Sequence, residues 1–263
     1  EIMNGIDLFK EPDHVDIDLL FAFNDNDDKN DIADHLISIA EYRGDAMAFC
    51  SPPIEDSILK DDSTEIVEWA DSIRSSSYAV IDSTALKVYN PYADKDLWIP
   101  AAGHVAGLCA HTDDVADPWI SPAGMTRGHL KNVKKLAFNP KKFDRDELYE
   151  SRVVPITFNN RDGMTLFGDK TALYKPSAFD RINVRRLFIY LRKAIANAAK
   201  YRMFEINNRA TRTMFKTEVE GFLRTVRGRR GLVDFNVICD ETNNPGHVID
   251  DNEFIADIYI KPS

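Results

Sequence analysis

Apolar positions along the chain switch repeatedly between a strand-like and a helical period. Residues 17–23 form an apolar run of strand character. Ile32, Leu36, Ile39 and Ala40 then recur at helical spacing behind Asn30 and Asp31, two capping residue types. Gly44 predicts the end of that helix, and 46–50 a short buried strand closed by Pro52 and Pro53. A second helix is predicted over 64–75, with Ile66, Trp69, Ala70 and Ile73 inward, followed by strands over 78–82 and 85–89. Strands separated by helices predict an α/β layer.

The middle of the chain is less periodic. Pro100 suits the first turn of a helix over 101–111. Residues 119–124, WISPAG, predict a rigid turn, 144–150 a short charged helix, and 155–158 with 164–167 a hairpin turning through 159–163. Two long helices follow. In the first, over 181–201, Val184, Leu187, Phe188, Leu191, Ile195 and Ala199 form an apolar stripe, and phasing at about 100° per residue puts Arg186, Lys193 and Lys200 on the opposite pole. In the second, over 209–227, Phe215, Val219, Phe222, Leu223 and Val226 face inward, with Gly228 as the stop. Strands are predicted over 232–239 and 254–260, around a polar loop containing Asn244-Pro245-Gly246. The expected fold is mixed α/β (α+β) in two-layer domains, 1–152 and 153–263. The second domain is two long helices packed on a small sheet.

At 263 residues, 44% hydrophobic and 29% charged, the chain is long enough to bury a sizeable core, and no apolar window is long enough to span a membrane. Cys50, Cys109 and Cys239 are odd in number, far apart and without a CxxC pair. They read as buried reduced thiols of an intracellular setting. Neither end resembles a leader peptide, and both look cut from a longer polypeptide. Charge changes the picture more. Residues 1–152 carry a net −15 and 153–263 a net +5, while 181–230 alone hold 14 Lys/Arg against 3 Asp/Glu. That reversal points to a partner with an acidic surface. One alternative is a nucleic-acid-binding α/β protein using the basic helices 181–230. Against it, the whole chain is at −10, and Phe188, Phe215 and Phe222 fall on the core stripes instead of between the basic residues.

Tests for chemistry give little. Residues 163–171 approach a phosphate loop, but Asp169 stands where the lysine belongs and puts a negative charge at the phosphate position. Asp25, Asp27, Asp28 and Asp31 resemble a calcium loop in composition only, because Asn30 and Leu36 occupy the places of its glycine and glutamate. His104 and His111, two turns apart near Cys109, are too widely spaced for joint metal ligation. Cys239-Asp240-Glu241 closes a strand, but spacing implies no histidine partner. The reading is of a non-enzyme without metal or cofactor.

The segments PSAFDRINVRRLFIYLRKAIANAAKYRMFE (176–205), GRRGLVDFNVICDETNN (228–244) and NEFIADIYIKP (252–262) resemble the C-terminal core of tail sheath proteins from contractile-tailed bacteriophages of the T-even type. WISPAG (119–124) and LFGDKT (166–171) add to the resemblance, which is dense over 98–262 and looser before. It implies a structural subunit that stacks in six-subunit rings, as a helical homo-oligomer around an inner tail tube protein, with baseplate and tail terminator partners, and that contracts to drive the tube through the host envelope. It implies a place in the virion tail after assembly in the host cytoplasm, and partners that are neither nucleic acid nor membrane. Residues 1–152 would be part of the middle sheath domain, and 153–263 the C-terminal domain lacking its terminal arm. Arg186, Lys193 and Lys200 would contact the tube or a neighbour, and a sheet containing Phe254, Ala256, Ile258 and Ile260 would accept a neighbour's strand.

Overall fold

Parallel pairing organises the first part of the computed structural model, which describes residues 2–22, 31–55 and 63–263. The predicted acidic loop 24–30 and the Asn30 cap lie outside the described residues. The chain divides into two compact units, Glu1–Ile189 and Tyr190–Ser263.

In the first unit, α1 (Ile2–Asp7), β1 (Leu19–Phe21), α2 (Asp31–Arg43), β2 (Met47–Cys50), α3 (Thr64–Ser72) and β3 (Ala79–Asp82) follow in order. β1, β2, β3 and the short β7 (Val153–Val154) form a four-stranded parallel sheet in that order. All four residues of β2 and of β3 are buried, as a parallel sheet covered on both faces requires. Side-chain alternation divides them. Ala48, Cys50, Ala79 and Ile81 point into a core built with α2 and α3 residues such as Leu36, Ile37 and Trp69. Met47, Phe49 and Val80 point into a second core with α4 (Ala102–Val115), through Val105 and Cys109. Gly44 ends α2 in the left-handed region at φ +63, its N–H donating to the Ala40 carbonyl at 2.8 Å, so the predicted stop is observed.

The middle of the chain holds two strands that its pattern does not announce. β4 (Ala85–Asn90) pairs antiparallel with β5 (Lys95–Pro100) on one side and β6 (Val133–Leu136) on the other. β5 is exposed at Lys95 and Asp96 and only half-buried at Leu97, Trp98 and Ile99, and β6 carries two exposed lysines, so neither shows a clear apolar alternation. Pro100 therefore ends a strand, and α4 starts two residues later. The helix α5 (Lys142–Glu150) and the hairpin β8 (Ile156–Asn159) and β9 (Gly163–Leu166) lie within three residues of expectation. Gly128 fits a close backbone approach: a Cβ there would meet Gly124 O at 2.8 Å and Leu166 O at 3.0 Å. The 124–128 turn is thereby laid directly on β9, with the Leu166 N–H donating to Gly128 O at 2.8 Å.

The long helix α6 (Ile182–Lys200) contains the boundary between the units. The second unit goes on with α7 (Arg209–Gly228), β10 (Leu232–Ile238), the single turn α8 (Gly246–Asp250) and β11 (Asp257–Pro262). Phe215, Val219, Leu223 and Val226 are buried along α7, which packs on β10. Gly228 is not the stop. Arg230 takes the left-handed turn at φ +64, and the Gly231 N–H returns to Val226 O at 2.9 Å.

Candidate assembly interface

The two halves of α6 treat their cations differently. Phasing expects Arg186 exposed, yet it is 5% exposed. The reason is α4, which covers that side of the helix in the first unit. Arg186 donates to Asp113 Oδ2 at 2.5 Å and to the Cys109 carbonyl at 3.3 Å. Arg185 is sandwiched between the Tyr78 and Phe179 rings at 4.1 and 4.0 Å, and burial lowers its pKa. Lys193, half-buried, and Lys200, exposed, belong to the second unit.

The positive charge over 181–230 is answered in part from within each unit. Arg212, buried, pairs with Glu241 at 3.0 Å. Arg202 pairs with Glu205 at 3.1 Å and Glu218 at 3.2 Å, and Arg224 with Glu220 at 2.7 Å. Arg186 uses Asp113. Asp113 and Glu241 lie outside the basic window, so the sequence count overstates the positive charge presented outward. The basic-helix reading for nucleic acid loses part of its support.

The second candidate is the ribbon β10–β11. Its strands pair antiparallel from Leu232↔Pro262 to Ile238↔Asp257, with a bulge between Leu232 and Asp234. Ile258 and Ile260 lie on β11, but Phe254 and Ala256 do not, because the strand begins at Asp257. Asn244 explains the shift. Its carboxamide accepts the Ile255 N–H at 2.9 Å and donates to the Ile255 carbonyl at 2.8 Å, taking the backbone groups that a ladder would need. Phe254 packs edge-to-face on Phe215, centroids 5.5 Å apart. Among the described residues β10 and β11 pair only with each other, so each has an open edge.

Residues tested for chemistry have structural roles. Asp169 accepts the Ile182 N–H at 3.2 Å and caps α6, while Lys170 donates to Tyr149 O at 2.7 Å. All three cysteines are buried and free, and burial raises the Cys239 pKa. Burial likewise lowers that of His104. Among the described residues, no group of three His, Cys, Asp or Glu is placed to hold a metal ion, and no helix is long and apolar enough to cross a membrane. One buried polar cluster escaped the sequence entirely. At the carboxyl ends of β2 and β3, Ser51 Oγ donates to Asp82 Oδ2 at 2.5 Å and accepts the Ala102 N–H at 2.8 Å, tying the sheet to the start of α4. Burial pushes Asp82 up to about 7. Neither residue shows a periodic or motif signal.

Residues 3–172 match the family described as phage tail sheath protein central domain, and residues 174–263 match the phage tail sheath C-terminal domain. The chain belongs to the phage tail sheath family. It is 42% identical over 282 residues to the tail sheath protein of Vibrio phage KVP40 and 39% identical over 279 residues to that of Enterobacteria phage T4. These alignments cover 99% and 100% of this chain but 42% of each relative, so the chain spans less than half the length of the curated sheath proteins it matches. Its fold is similar to the sheath of an extracellular contractile injection system in its contracted state, at TM-score 0.79 and 18% identity, over 95% of this chain and 68% of that one. The contracted helical sheath of the anti-feeding prophage gives TM-score 0.77 and 17% identity, over 98% of this sheath-family chain and 70% of that one.

Proposed function

We propose that this chain is part of the structural subunit of a contractile phage tail sheath. The subunit assembles in the host cytoplasm, stacks as six-subunit rings around an inner tail tube in the virion tail, and engages baseplate and terminator proteins at the ends of the tube. Contraction then drives the tube through the host envelope. The observation that carries this reading is the match of both sheath domains across nearly the whole chain, joined to 39–42% identity with two curated tail sheath proteins.

The physics is that of an open lattice. A heterologous interface that does not close on itself propagates into a helical tube. Rigid subunits rearranging between two packings release energy without consuming a nucleotide, and the extended state persists because its exit is slow. Lys193 and Lys200 supply positive charge toward the tube or a neighbour, whereas Arg186 is committed to Asp113. The open edge of β11, through Ile258 and Ile260, accepts a strand from a neighbouring subunit and keeps the lattice connected while subunits turn.

Negative-stain microscopy of the protein, expressed at the full length of its relatives, tests the reading. Long hollow tubes are expected, and Lys193→Glu with Lys200→Glu should weaken their assembly on tail tubes in a salt-dependent way. Monodisperse particles under all assembly conditions, or filaments that form only on DNA, overturn it.

A further inference from the structure

The connection between α6 and α7 is built inside out. Asn207 donates inward to Asn244 Oδ1 at 3.1 Å and to the Glu253 carbonyl at 2.7 Å, and Asn208 caps α7 by accepting the Thr211 N–H at 2.9 Å. Arg202 clamps the connection to α7 through Glu205 and Glu218. The apolar side chains point the other way: Tyr201 is 84% exposed, Met203 68%, Phe204 97% and Ile206 79%, with Met214 of α7 at 55%. A loop that turns its polar groups in and its apolar groups out is shaped by something outside the chain. At about 150–250 Å² for an aromatic residue and rather less for an aliphatic one, these five present roughly 600–800 Å². That exceeds the largest apolar patch of an ordinary monomer, about 300–600 Å². It matches one partner's share, about 800 Å², of a standard protein interface.

Charge selects the occupant. The rim of the patch carries Lys200 and Arg209, both exposed, beside Arg202, Glu205 and Glu218, for a net of +1. The first unit of this chain offers the complement. Residues 8–16 place Leu8, at 75% exposed, with Phe9 and Val15 among Glu11, Asp13 and Asp16 against Lys10, a net of −2 with His14 neutral. That segment is held from beneath. The buried Arg43 guanidinium donates to Phe9 O at 2.6 Å and Val15 O at 3.0 Å while paired with Asp45. Both surfaces are therefore fixed before they meet, which lowers the ordering cost of association.

We infer that residues 201–214 form a docking surface for a second copy of this chain, which seats its acidic, apolar 8–16 segment there. The contact is heterologous, so each copy gives one surface and receives on the other and the pairing runs head to tail. The inference rests on the sheath reading for its biological setting, but its test does not.

Sedimentation velocity of this chain across a concentration series should show self-association. Phe204→Ser on one surface and Leu8→Ser on the other should each weaken it by about ten-fold or more, the effect of losing an interface anchor. Circular dichroism checks that each variant is folded, and Ile206→Ser replaces Phe204→Ser if that variant is not. Mixing the two variants is the decisive arm. Each retains the surface the other lacks, so the mixture should form dimers and stop there, while either variant alone stays monomeric. A monomeric parent chain, single variants that associate like the parent, or a mixture that stays monomeric overturns the inference. A patch that binds the tail tube protein instead gives the first of these. None of these results touches the sheath reading, which stands or falls on tubes of the full-length protein.

Discussion

The two units bury charge alike but leave different elements uncovered. In the first, several ionisable groups are drawn inside and answered there, as Arg212 is by Glu241 in the second. Arg43 serves Asp45 and two carbonyls, Arg152 donates to the Ala70 and Ala172 carbonyls, and Arg186 serves Asp113. Two apolar cores flank one parallel sheet. In the second, a two-stranded ribbon has open edges, and a connection holds its polar groups in and its apolar groups out. A platform that must keep its shape is satisfied within itself.

The largest effect that separates the regions comes from one substitution made in each. Phe49→Ala empties a fully buried site on β2 and should cost about 3–5 kcal/mol in chemical denaturation. Phe204→Ala, at 97% exposed, should change stability by less than about 0.5 kcal/mol. A comparable loss at both sites would erase the contrast. The cations of α6 come next. Arg186→Met removes a buried guanidinium from a carboxylate that solvent still partly reaches, for a loss of about 2–3 kcal/mol. Lys200→Met should remain within about 0.5 kcal/mol.

Asn244→Ala is a smaller test inside the second unit. It deletes the carboxamide that holds both backbone groups of Ile255, at a cost of about 1–3 kcal/mol. Amide exchange at Ile255 should speed up while Val237 in β10 is little affected. The pH slope tests the first unit separately. Burial holds Asp82 at about 7 in the folded chain, against about 3.9 unfolded. Between those values the folded state binds more protons. Its contribution to stability is therefore greatest near pH 4, falls as pH rises toward 7, and is level above. Denaturation of Asp82→Asn across that range should lack the downward slope that the parent shows.

Elements with a strong period were legible in the sequence, and those without one were not. The helix α7 shows its stripe of Phe215, Val219, Leu223 and Val226 because one face alone is buried. The strands β5 and β6 stayed hidden because they are short and half-exposed, and pairing with β4 is what makes them strands. Helical phasing places a side chain on its own helix but knows nothing of α4, so it misjudged Arg186. It could not see that Asn244 would delay β11 to Asp257. The run 201–206 falls at the end of one predicted helix and before the next and has no reading of its own until the structure shows how far Met203, Phe204 and Ile206 are exposed. Ser51 and Asp82 lie 31 residues apart without a motif between them, and only the parallel pairing of β2 with β3 brings them together.

Amide hydrogen exchange on the protein before and after assembly into tubes tests the central claim most directly. The core strands β2 and β3 should be equally protected in both states. New protection should gather on residues 8–16 and 201–214 and along β11. Tubes whose new protection lies elsewhere, with 8–16, 201–214 and β11 still exchanging as in the unassembled protein, would contradict the assignment of these segments as the surfaces that assembly covers.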